Sequence, residues 1–353
     1  MRVGVRVHQL PDTAILRFFA PGSPRTPETT GAMVNASVRQ NRAAGATSET
    51  AETYWSPLIQ GEALTLEIEL PAGVDPRTVR IALPRLSHLF RLPFAEPGPA
   101  ASAATACHQD PPCEPAWDQP SRATALLPHT DASGATGVCT ATLLNDAAPS
   151  TYIPFLLTAQ HCLSEQTRAS SIEAVWFHRA DNCGGPSRML QSVSGGADLL
   201  YAAKSTDTSL LRLRQPPPAG AVFSGWSTTL PPLGTAVIAI HYQRGARQAI
   251  ARGRVTEYLN CADVDHCADD ADPDAIHYLR VTWSSGFTDP GGSGSGLFLE
   301  SGQLVGTLSG GFSDCDHPQG PDDYGRFDLA YRERLRKWIG RPAAAESISP
   351  ATR

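Results

Sequence analysis

All eight cysteines of this 353-residue chain lie after residue 106. An even number of cysteines favours a disulfide framework in an exported protein, although the count alone does not choose the pairing. The competing interpretations are a zinc site and buried free thiols in a cytosolic protein, and the absence of any Cys-x-x-Cys pair disfavours zinc. The cysteines therefore predict a cross-linked C-terminal part that follows a cysteine-free N-terminal part.

Composition excludes several classes of fold and function. Gly and Pro together number 60 of 353 residues, more than the roughly 12% of average proteins, which favours short strands and turns over long helices. The net charge of -6 supplies no basic field for nucleic acid. There is no apolar run of about 18 residues, so no segment is predicted to cross a membrane.

The N-terminal part is predicted to be a small β-rich domain. Strict alternation over Leu64–Leu70 predicts a strand with one wet face, and residues 79–83 form a shorter candidate. The small, polar stretch Gly31–Ala51 is predicted to be loose. Residues 95–106 read as an exposed linker, which places a domain boundary near residue 100.

The C-terminal part is predicted to be a β barrel or sandwich that ends in one helix. Many short strand candidates are separated by turns, at residues 174–177, 210–213, 236–240 and 279–283. Asp328 is a candidate cap for a helix that reaches Ile339 and stops at Gly340. The tail beyond residue 345 is predicted to be flexible.

Three segments carry the chemistry, and each is weak alone. They are Thr158-Ala159-Gln160-His161-Cys162, Thr206-Asp207-Thr208 and Gly291-Gly292-Ser293-Gly294-Ser295. A lone histidine is usually a core residue, a Gly/Ser run a loop and Thr-Asp-Thr a turn. Acyl transfer, however, needs a hydroxyl, a base and a carboxylate that orients the base, and His, Asp and Ser in this order across an all-β pattern supply them.

These segments resemble the motifs of trypsin-like serine proteases, and in particular those of secreted bacterial lysyl endopeptidases. The likeness covers about residues 102–340. It implies an all-β, two-barrel protease domain at residues 101–345 with a short C-terminal helix. The N-terminal domain at residues 1–100 lies outside the likeness. That domain would be a pro-region or an accessory module, cut from the protease near residue 100.

The resemblance also implies a role for each site residue. His161 would be the general base and then the acid, Asp207 its orienting carboxylate and Ser293 the nucleophile; Ser295 competes for that role but does not fit the Gly-x-Ser-Gly frame. The Gly291 and Ser293 amides would form the oxyanion hole. The remaining substrate-binding residues implied by the family are Ser309, Gly310 and Gly311, as a strand edge, and Asp322.

The family has three disulfide bonds, and they correspond here to Cys107–Cys315, Cys113–Cys183 and Cys139–Cys162. Cys261 and Cys267 remain and are expected to close a local loop. This loop is rich in aspartate, so a calcium site is an alternative to a solvated acidic loop. It lacks the glycine and terminal glutamate of an EF-hand, and no metal is predicted.

Asp322 matches the aspartate at the base of the family's primary specificity pocket, which implies cleavage after basic residues. The alternative is a surface turn at Pro321-Asp322-Asp323. Lysine is favoured over arginine, but Ser309 stands where the family has a histidine of its lysine-selective apparatus, and Tyr258 is only a candidate for the aromatic partner. The chain has only two lysines, Lys204 and Lys337, so a lysine-specific enzyme would have few sites for self-digestion.

The resulting prediction is a secreted, monomeric serine endopeptidase that acts on peptides or proteins without a cofactor. No signal peptide is visible after Met1, so either the true start is expected upstream or the export signal has been removed. Two alternatives stay open. One is a catalytically inactive homologue that serves as a binding module, and the other is a protease of the same fold with non-basic specificity.

Overall fold

The computed structural model describes residues 1–23, 26–89, 108–148, 150–187, 189–263, 266–269 and 276–340. Strands are numbered here in chain order. The N-terminal part contains two antiparallel three-stranded sheets. The first has the order β4-β1-β6, from Thr53–Trp55, Arg2–Gln9 and Arg80–Ser87, and the second has the order β3-β2-β5, from Glu28–Thr30, Ile15–Phe19 and Thr65–Glu69.

The strand predicted at Leu64–Leu70 is confirmed as β5, whose residues alternate between exposed and half-buried positions. The prediction of a loose segment at Gly31–Ala51 is wrong. This stretch forms helices at Gly31–Ala43 and Ser48–Glu52. The first begins at Thr30, whose side chain accepts a hydrogen bond from the Met33 amide at 3.2 Å.

The first half of the C-terminal part is a seven-stranded antiparallel sheet with the order β11-β10-β7-β8-β9-β13-β12. Its core is built around Trp176, Leu127 and Leu211, which are fully buried. A five-residue helix at Gln166–Ser170 packs against β12 and β7. In chain order the strands are Thr124–Thr130, Thr136–Leu144, Phe155–Ala159, Ala174–Trp176, Gln191–Val193, Ala197–Ala203 and Thr208–Leu213.

The second half is a seven-stranded sheet with the order β14-β18-β19-β20-β17-β15-β16, and β14 also pairs with β15, which closes six of the strands into a barrel. Trp283, Phe287 and Tyr324 fill its core. The strands β14 to β20 are Ala236–Tyr242, Gln248–Asp263, His266–Asp269, Tyr278–Ser285, Gly296–Leu299, Leu304–Gly311 and Asp322–Arg326. The predicted all-β architecture with a β-rich N-terminal domain is thus confirmed.

The predicted C-terminal helix is present but shorter than expected. It spans Phe327–Glu333, and a separate 3-10 turn follows at Leu335–Lys337. Asp328 does not cap it; its carboxylate instead binds Arg326 through two hydrogen bonds of 3.0 and 2.8 Å. Short 3-10 turns also occur at Pro76–Thr78, Pro111–Cys113 and Pro115–Trp117, and a one-turn helix at Asp118–Ser121.

Two of the implied disulfide bonds are present in the structure, Cys113–Cys183 and Cys139–Cys162. Cys261 and Cys315 are also disulfide-bonded. Their expected partners fall outside the description: Cys107 is not among the described residues, and the side chain of Cys267 is not described. Among the described helices, none is long and apolar enough to cross a membrane.

Candidate active site

His161 and Asp207 meet where β9 ends and β13 begins. These strands pair antiparallel, with Ala159 opposite Thr208. The His161 Nδ1 atom lies 2.6 Å from Asp207 Oδ2, and the His161 amide donates to Asp207 Oδ1 at 2.8 Å. The carboxylate thus fixes both the ring and the backbone of the histidine, as an orienting group must.

Asp207 lies in a turn with φ of 44°, a left-handed conformation that is uncommon for a residue with a side chain. Its amide donates to the Lys204 carbonyl at 3.3 Å, and its side chain is buried. The Ser309 hydroxyl donates to Asp207 Oδ2 at 2.7 Å. Asp207 Oδ2 therefore accepts hydrogen bonds from both His161 and Ser309.

Tyr278 is a further neighbour of this carboxylate. Burial, followed by the negative charge of Asp207, raises the pKa of the Tyr278 phenol above its ordinary value. Its hydroxyl lies 3.5 Å from the Lys204 carbonyl, which also accepts the Asp207 amide. Tyr258, the sequence candidate for an aromatic partner, instead donates its hydroxyl to the Pro231 carbonyl at 2.7 Å.

Ser293 lies in a tight loop before β18. The Gly292 amide donates to the Asp289 carbonyl, and the Ser295 amide donates to the Gly292 carbonyl, both at 2.9 Å. Within the described part of the chain, the amides of Gly291 and Ser293 donate to no other residue. These two N–H groups are therefore available to an external oxygen, as an oxyanion hole requires.

Thr140 of β8 holds this loop against the first sheet. Its amide donates to the Ser293 carbonyl and its hydroxyl donates to the Gly291 carbonyl, each at 2.8 Å. The Thr140 hydroxyl also accepts the Tyr242 amide of β14 at 3.1 Å. One threonine thus joins the Ser293 loop to both halves of the C-terminal part.

The Cys139–Cys162 disulfide lies between the histidine and the serine loop. The Ser293 carbonyl is 4.0 Å from Cys162 Sγ. A His161 ring nitrogen lies within 4.8 Å of both sulfurs of the disulfide. The His161 ring and the Ser293 loop therefore both lie close to Cys162 Sγ. Because Cys139 and Cys162 form a disulfide bond, these two cysteines and His161 do not form a metal site.

The two serines of the motif differ in exposure. Ser293 is partly exposed, whereas Ser295 is fully buried. The His161 side chain is 43% exposed. Of the two serines, only Ser293 can therefore be reached from solvent.

Asp322 is only 1% exposed on β20, so the alternative of a surface turn is wrong. Its Oδ2 atom accepts hydrogen bonds from the Trp283 indole at 2.6 Å, the Thr288 hydroxyl at 2.7 Å and the Ser313 hydroxyl at 2.6 Å. Among the described residues, its Oδ1 atom accepts only the Ser313 amide, at 3.2 Å.

Neutral donors surround Asp322, in contrast to its neighbour. Asp323 pairs with Arg280 at 2.9 Å, whereas Asp322 pairs with no cation among the described residues. A side chain at Gly311 would collide with Asp322 Oδ1. Glycine is therefore the residue that fits beside this oxygen.

Gly310 and Gly311 extend β19 past its pairing with β18. Across the described residues, β18 pairs with β19 only at Leu304–Thr307, while Gly310 and Gly311 pair on the other edge with Asp323 and Asp322. The outer edge of this segment is thus available to an extended peptide. Ser309, whose backbone the sequence analysis assigns to the same edge, donates its side-chain hydroxyl to Asp207.

Several residues of the site escaped the sequence analysis. They are Thr140, Tyr278, Trp283, Thr288 and Ser313. None belongs to a short motif, and each reaches the site through strand pairing or a loop contact. The acidic loop weighed as a calcium site has no described side chains beyond Cys261, so the structure does not bear on it.

Both parts of the chain match models of known protein families. The family described as "Lysyl endopeptidase, C-terminal domain" matches residues 101–325, and the one described as "Lysyl endopeptidase N-terminal domain" matches residues 1–90. A curated lysyl endopeptidase from Pseudomonas aeruginosa is 33% identical over 304 residues, which cover 80% of this chain and 63% of that protein.

Solved structures resemble the chain more weakly. An HtrA-type protease, AlgW with a tripeptide, has a TM-score of 0.41 at 17% identity, over 62% of this chain and 60% of that one. A thermostable serine protease, AL20 from an extremophilic microorganism, has a TM-score of 0.42 at 14% identity, over 62% of this chain and 98% of that one.

Proposed function

Because the chain belongs to the lysyl endopeptidase family, we propose that it is a serine endopeptidase that cleaves after basic residues and prefers lysine to arginine. The observation that carries the proposal is the contact of 2.6 Å between His161 Nδ1 and Asp207 Oδ2 beside a loop with two available amides. The catalytic domain is assigned to residues 101–345 and the N-terminal domain to residues 1–100.

The proposed reaction is acyl transfer to Ser293. His161 takes the proton of the Ser293 hydroxyl as its oxygen attacks the scissile carbonyl, and Asp207 stabilises the imidazolium that forms. The Gly291 and Ser293 amides bind the negatively charged oxygen of the tetrahedral intermediate. His161 then protonates the leaving amine. In the second half, His161 takes a proton from water as the water oxygen attacks the acyl carbonyl, and it returns that proton to the Ser293 oxygen as the acid product leaves. Side chains, backbone and water suffice for every step.

The preference for basic residues rests on Asp322. A buried carboxylate with only neutral donors favours a substrate cation, because a neutral side chain would leave its charge unpaired. The preference for lysine follows from the hydrogen bonds that the two carboxylate oxygens of Asp322 accept. A guanidinium binds both oxygens of a carboxylate, but Oδ2 already accepts three hydrogen bonds. An ammonium needs only Oδ1, so lysine fits better.

The test of the nucleophile compares the two serines of the motif. We expect Ser293→Ala to lose fluorophosphonate labelling and to reduce turnover by at least about 10³-fold, because the attacking oxygen is gone. Ser295→Ala, the matched control, should still be labelled, since that hydroxyl is buried. Labelling of Ser293→Ala would place the nucleophile at another serine, and a wild-type protein that takes no label would favour the inactive binding module over the enzyme.

The test of specificity is Asp322→Asn, which keeps the shape of the side chain and removes its charge. Profiling on a peptide library should show a strong preference for lysine in the wild type and at least a 100-fold loss of it in the variant, with cleavage after other residues little changed. Asp314→Asn removes an exposed charge from the neighbouring loop and should leave the profile unchanged. An unaltered profile in Asp322→Asn would place the specificity elsewhere.

We propose that the enzyme works as a secreted monomer on peptide or protein substrates. The disulfide bonds support an oxidising compartment. Gly292 occupies the position where animal trypsins have an aspartate that pairs with a new N-terminus. Activity is therefore expected not to depend on such a salt bridge.

A further inference from the structure

The turn between β14 and β15 has an arginine where its backbone favours a different residue. The Ala246 amide donates to the Gln243 carbonyl and closes the turn, whose central residues Arg244 and Gly245 have φ of 46° and 78°. Positive φ at both central residues is the requirement of a type I′ turn, which favours asparagine, aspartate or glycine at the first of them. Backbone preference therefore does not account for Arg244.

The Arg244 side chain binds the start of the Ser293 loop. Its Nε atom donates to Asp289 Oδ2 and its Nη2 atom to Asp289 Oδ1, both at 2.9 Å. A pair with two parallel hydrogen bonds fixes the orientation of the guanidinium as well as its distance. The Asp289 carbonyl also accepts the Gly292 amide at 2.9 Å. The ion pair thus fastens the turn to a residue that is itself part of the fold of the loop.

The backbone of Arg244 holds one particular peptide unit of this loop. The Arg244 amide donates to the Pro290 carbonyl at 2.7 Å. That carbonyl and the Gly291 amide belong to the same trans peptide, and in this planar unit the C=O and N–H bonds point in opposite directions. A carbonyl that faces Arg244 therefore turns the Gly291 N–H away from Arg244. This N–H is one of the two that the proposed mechanism assigns to the oxyanion hole.

The opposite orientation of this peptide would remove that donor. If the Pro290–Gly291 peptide rotated by half a turn, the Gly291 N–H would face the Arg244 N–H, and two donors would meet without an acceptor. Glycine allows such a rotation because it adopts φ of either sign, and Gly291 has a φ of 98°. The hydrogen bond from the Arg244 amide therefore selects the orientation, and loss of one oxyanion donor costs about 10²–10³ in kcat.

Resting on the peptidase function proposed above, we propose that Arg244 and Asp289 are positioning residues of the oxyanion hole. The ion pair holds the turn in place, and the turn presents the Arg244 amide to the Pro290 carbonyl. That hydrogen bond directs the Gly291 N–H toward the carbonyl oxygen of the substrate. The pair acts through the loop and not by contact with substrate, so it stabilises the transition state, in which that oxygen gains its charge, more than the bound substrate.

Arg244→Asn separates the ion pair from the turn, because asparagine suits the first central position of a type I′ turn. We expect kcat on a lysyl peptide substrate to fall at least about tenfold with KM nearly unchanged, while the melting temperature does not fall. Asp289→Asn should cause a similar loss, and the double variant should be no slower than Arg244→Asn, since both act through one contact. Arg212→Gln is the matched control: this arginine is 51% exposed, against 56% for Arg244, pairs with Asp198 on the first sheet, and its loss should leave kcat unchanged.

Two inhibitors distinguish the oxyanion hole from the specificity pocket. A peptide boronic acid that ends in a lysine analogue forms a tetrahedral anion on Ser293, so its affinity for Arg244→Asn should fall by the same factor as kcat. Pentylamine imitates only the lysine side chain and should bind the variant and the wild type equally. An unchanged kcat, a rise in KM at constant kcat, or equal weakening of both inhibitors would overturn the proposal.

Crystal structures of the wild type and of Arg244→Asn test the proposal without any need for activity. A tenfold loss corresponds to about one tenth of the molecules with the Gly291 amide in place, so the flipped Pro290–Gly291 peptide should be the main conformation in the variant. An unchanged peptide in the variant would overturn the proposal whatever the kinetics. The expected flip in a protein whose wild type hydrolyses no peptide would support the role of Arg244 and contradict the proposed function alone.

Discussion

At the residue scale, the environment of Asp207 shows how a neutral neighbour can orient a buried carboxylate that binds a histidine. Ser309 donates a single hydrogen bond to the oxygen that also binds His161. The family has a histidine at this position, so a hydroxyl here contacts the carboxylate without adding a second ionisable group. Its contribution can be measured separately from substrate binding.

Ser309→Ala is expected to lower kcat about tenfold and to leave KM nearly unchanged. A hydrogen bond to a charged acceptor contributes roughly 1.5–3 kcal/mol, and one such bond to Asp207 is lost. Steady-state kinetics on a short lysyl substrate would measure the two constants. Ser284→Ala, which alters an exposed serine on β17, is the control. A large rise in KM at constant kcat would assign Ser309 to substrate binding instead.

The sequence predicted the residues that belong to short motifs and missed those that converge through the fold. His161, Asp207 and Ser293 each lie in a recognisable local pattern. The donors to Asp322 do not, because Trp283 is 39 positions away and meets the carboxylate only when β17 pairs with β20. Such a contact depends on strand register, which no local pattern encodes.

At the scale of elements, the helix Gly31–Ala43 was missed because its buried face is not apolar. The face contains Gly31, Val34, Ser37, Val38 and Asn41. Only two of these residues are large hydrophobes, so the helical period is weak in a hydrophobicity pattern. Ser37 and Asn41 are buried because the helix packs closely, and the Asn41 amide oxygen meets the Ser170 hydroxyl. The helical spacing of small polar residues was the signal in the sequence that could have indicated this helix.

The nucleophile loop should tolerate no side chain at Gly294. Its φ of 83° disfavours any residue with a Cβ, and a Cβ there would collide with Thr158 Oγ1 and the Thr140 carbonyl. Gly294→Ala is therefore expected to displace Ser293 and reduce fluorophosphonate labelling at least 100-fold, with a lower melting temperature.

Gly184→Ala is the matched control for this prediction. Gly184 has a φ of 69°, and no atom lies within 4 Å of the position where its Cβ would be. It should lose only the backbone preference, about 1 kcal/mol of stability, and keep full labelling. If both variants lost activity equally, backbone strain and not the collision would explain the effect at Gly294.

At the scale of the whole molecule, the sequence indicated a division into a cysteine-free N-terminal domain and a cross-linked β protein. Turn residues and short alternating runs mark the strands well, as at β5 and β17. How the two parts contact each other was not readable. From sequence alone, a charged residue such as Arg2 is expected on the surface. Its buried partners Thr130 and Glu173 show that it lies at the boundary between the N-terminal and C-terminal parts.

Buried histidines make the stability of the whole molecule depend on pH. Burial lowers the pKa of His129 to about 4, of His241 to about 3 and of His108 to about 4. In the unfolded chain these groups titrate near about 6.5. At a pH between the folded-state and unfolded-state pKa values, the unfolded state binds more protons than the folded state, so acid favours unfolding. Their contribution to stability is complete above about pH 6.5 and is lost as the pH falls toward 4.

The free energy of unfolding should therefore fall by up to about 1.4 kcal/mol per pH unit for each such histidine between about pH 6 and 5. Urea unfolding with the disulfides intact, followed across this window, measures that slope. His129→Gln should reduce the slope by about one proton, whatever its effect on absolute stability, since glutamine does not titrate. An equal slope in His129→Gln and wild type would mean that His129 binds its proton equally in the folded and unfolded states.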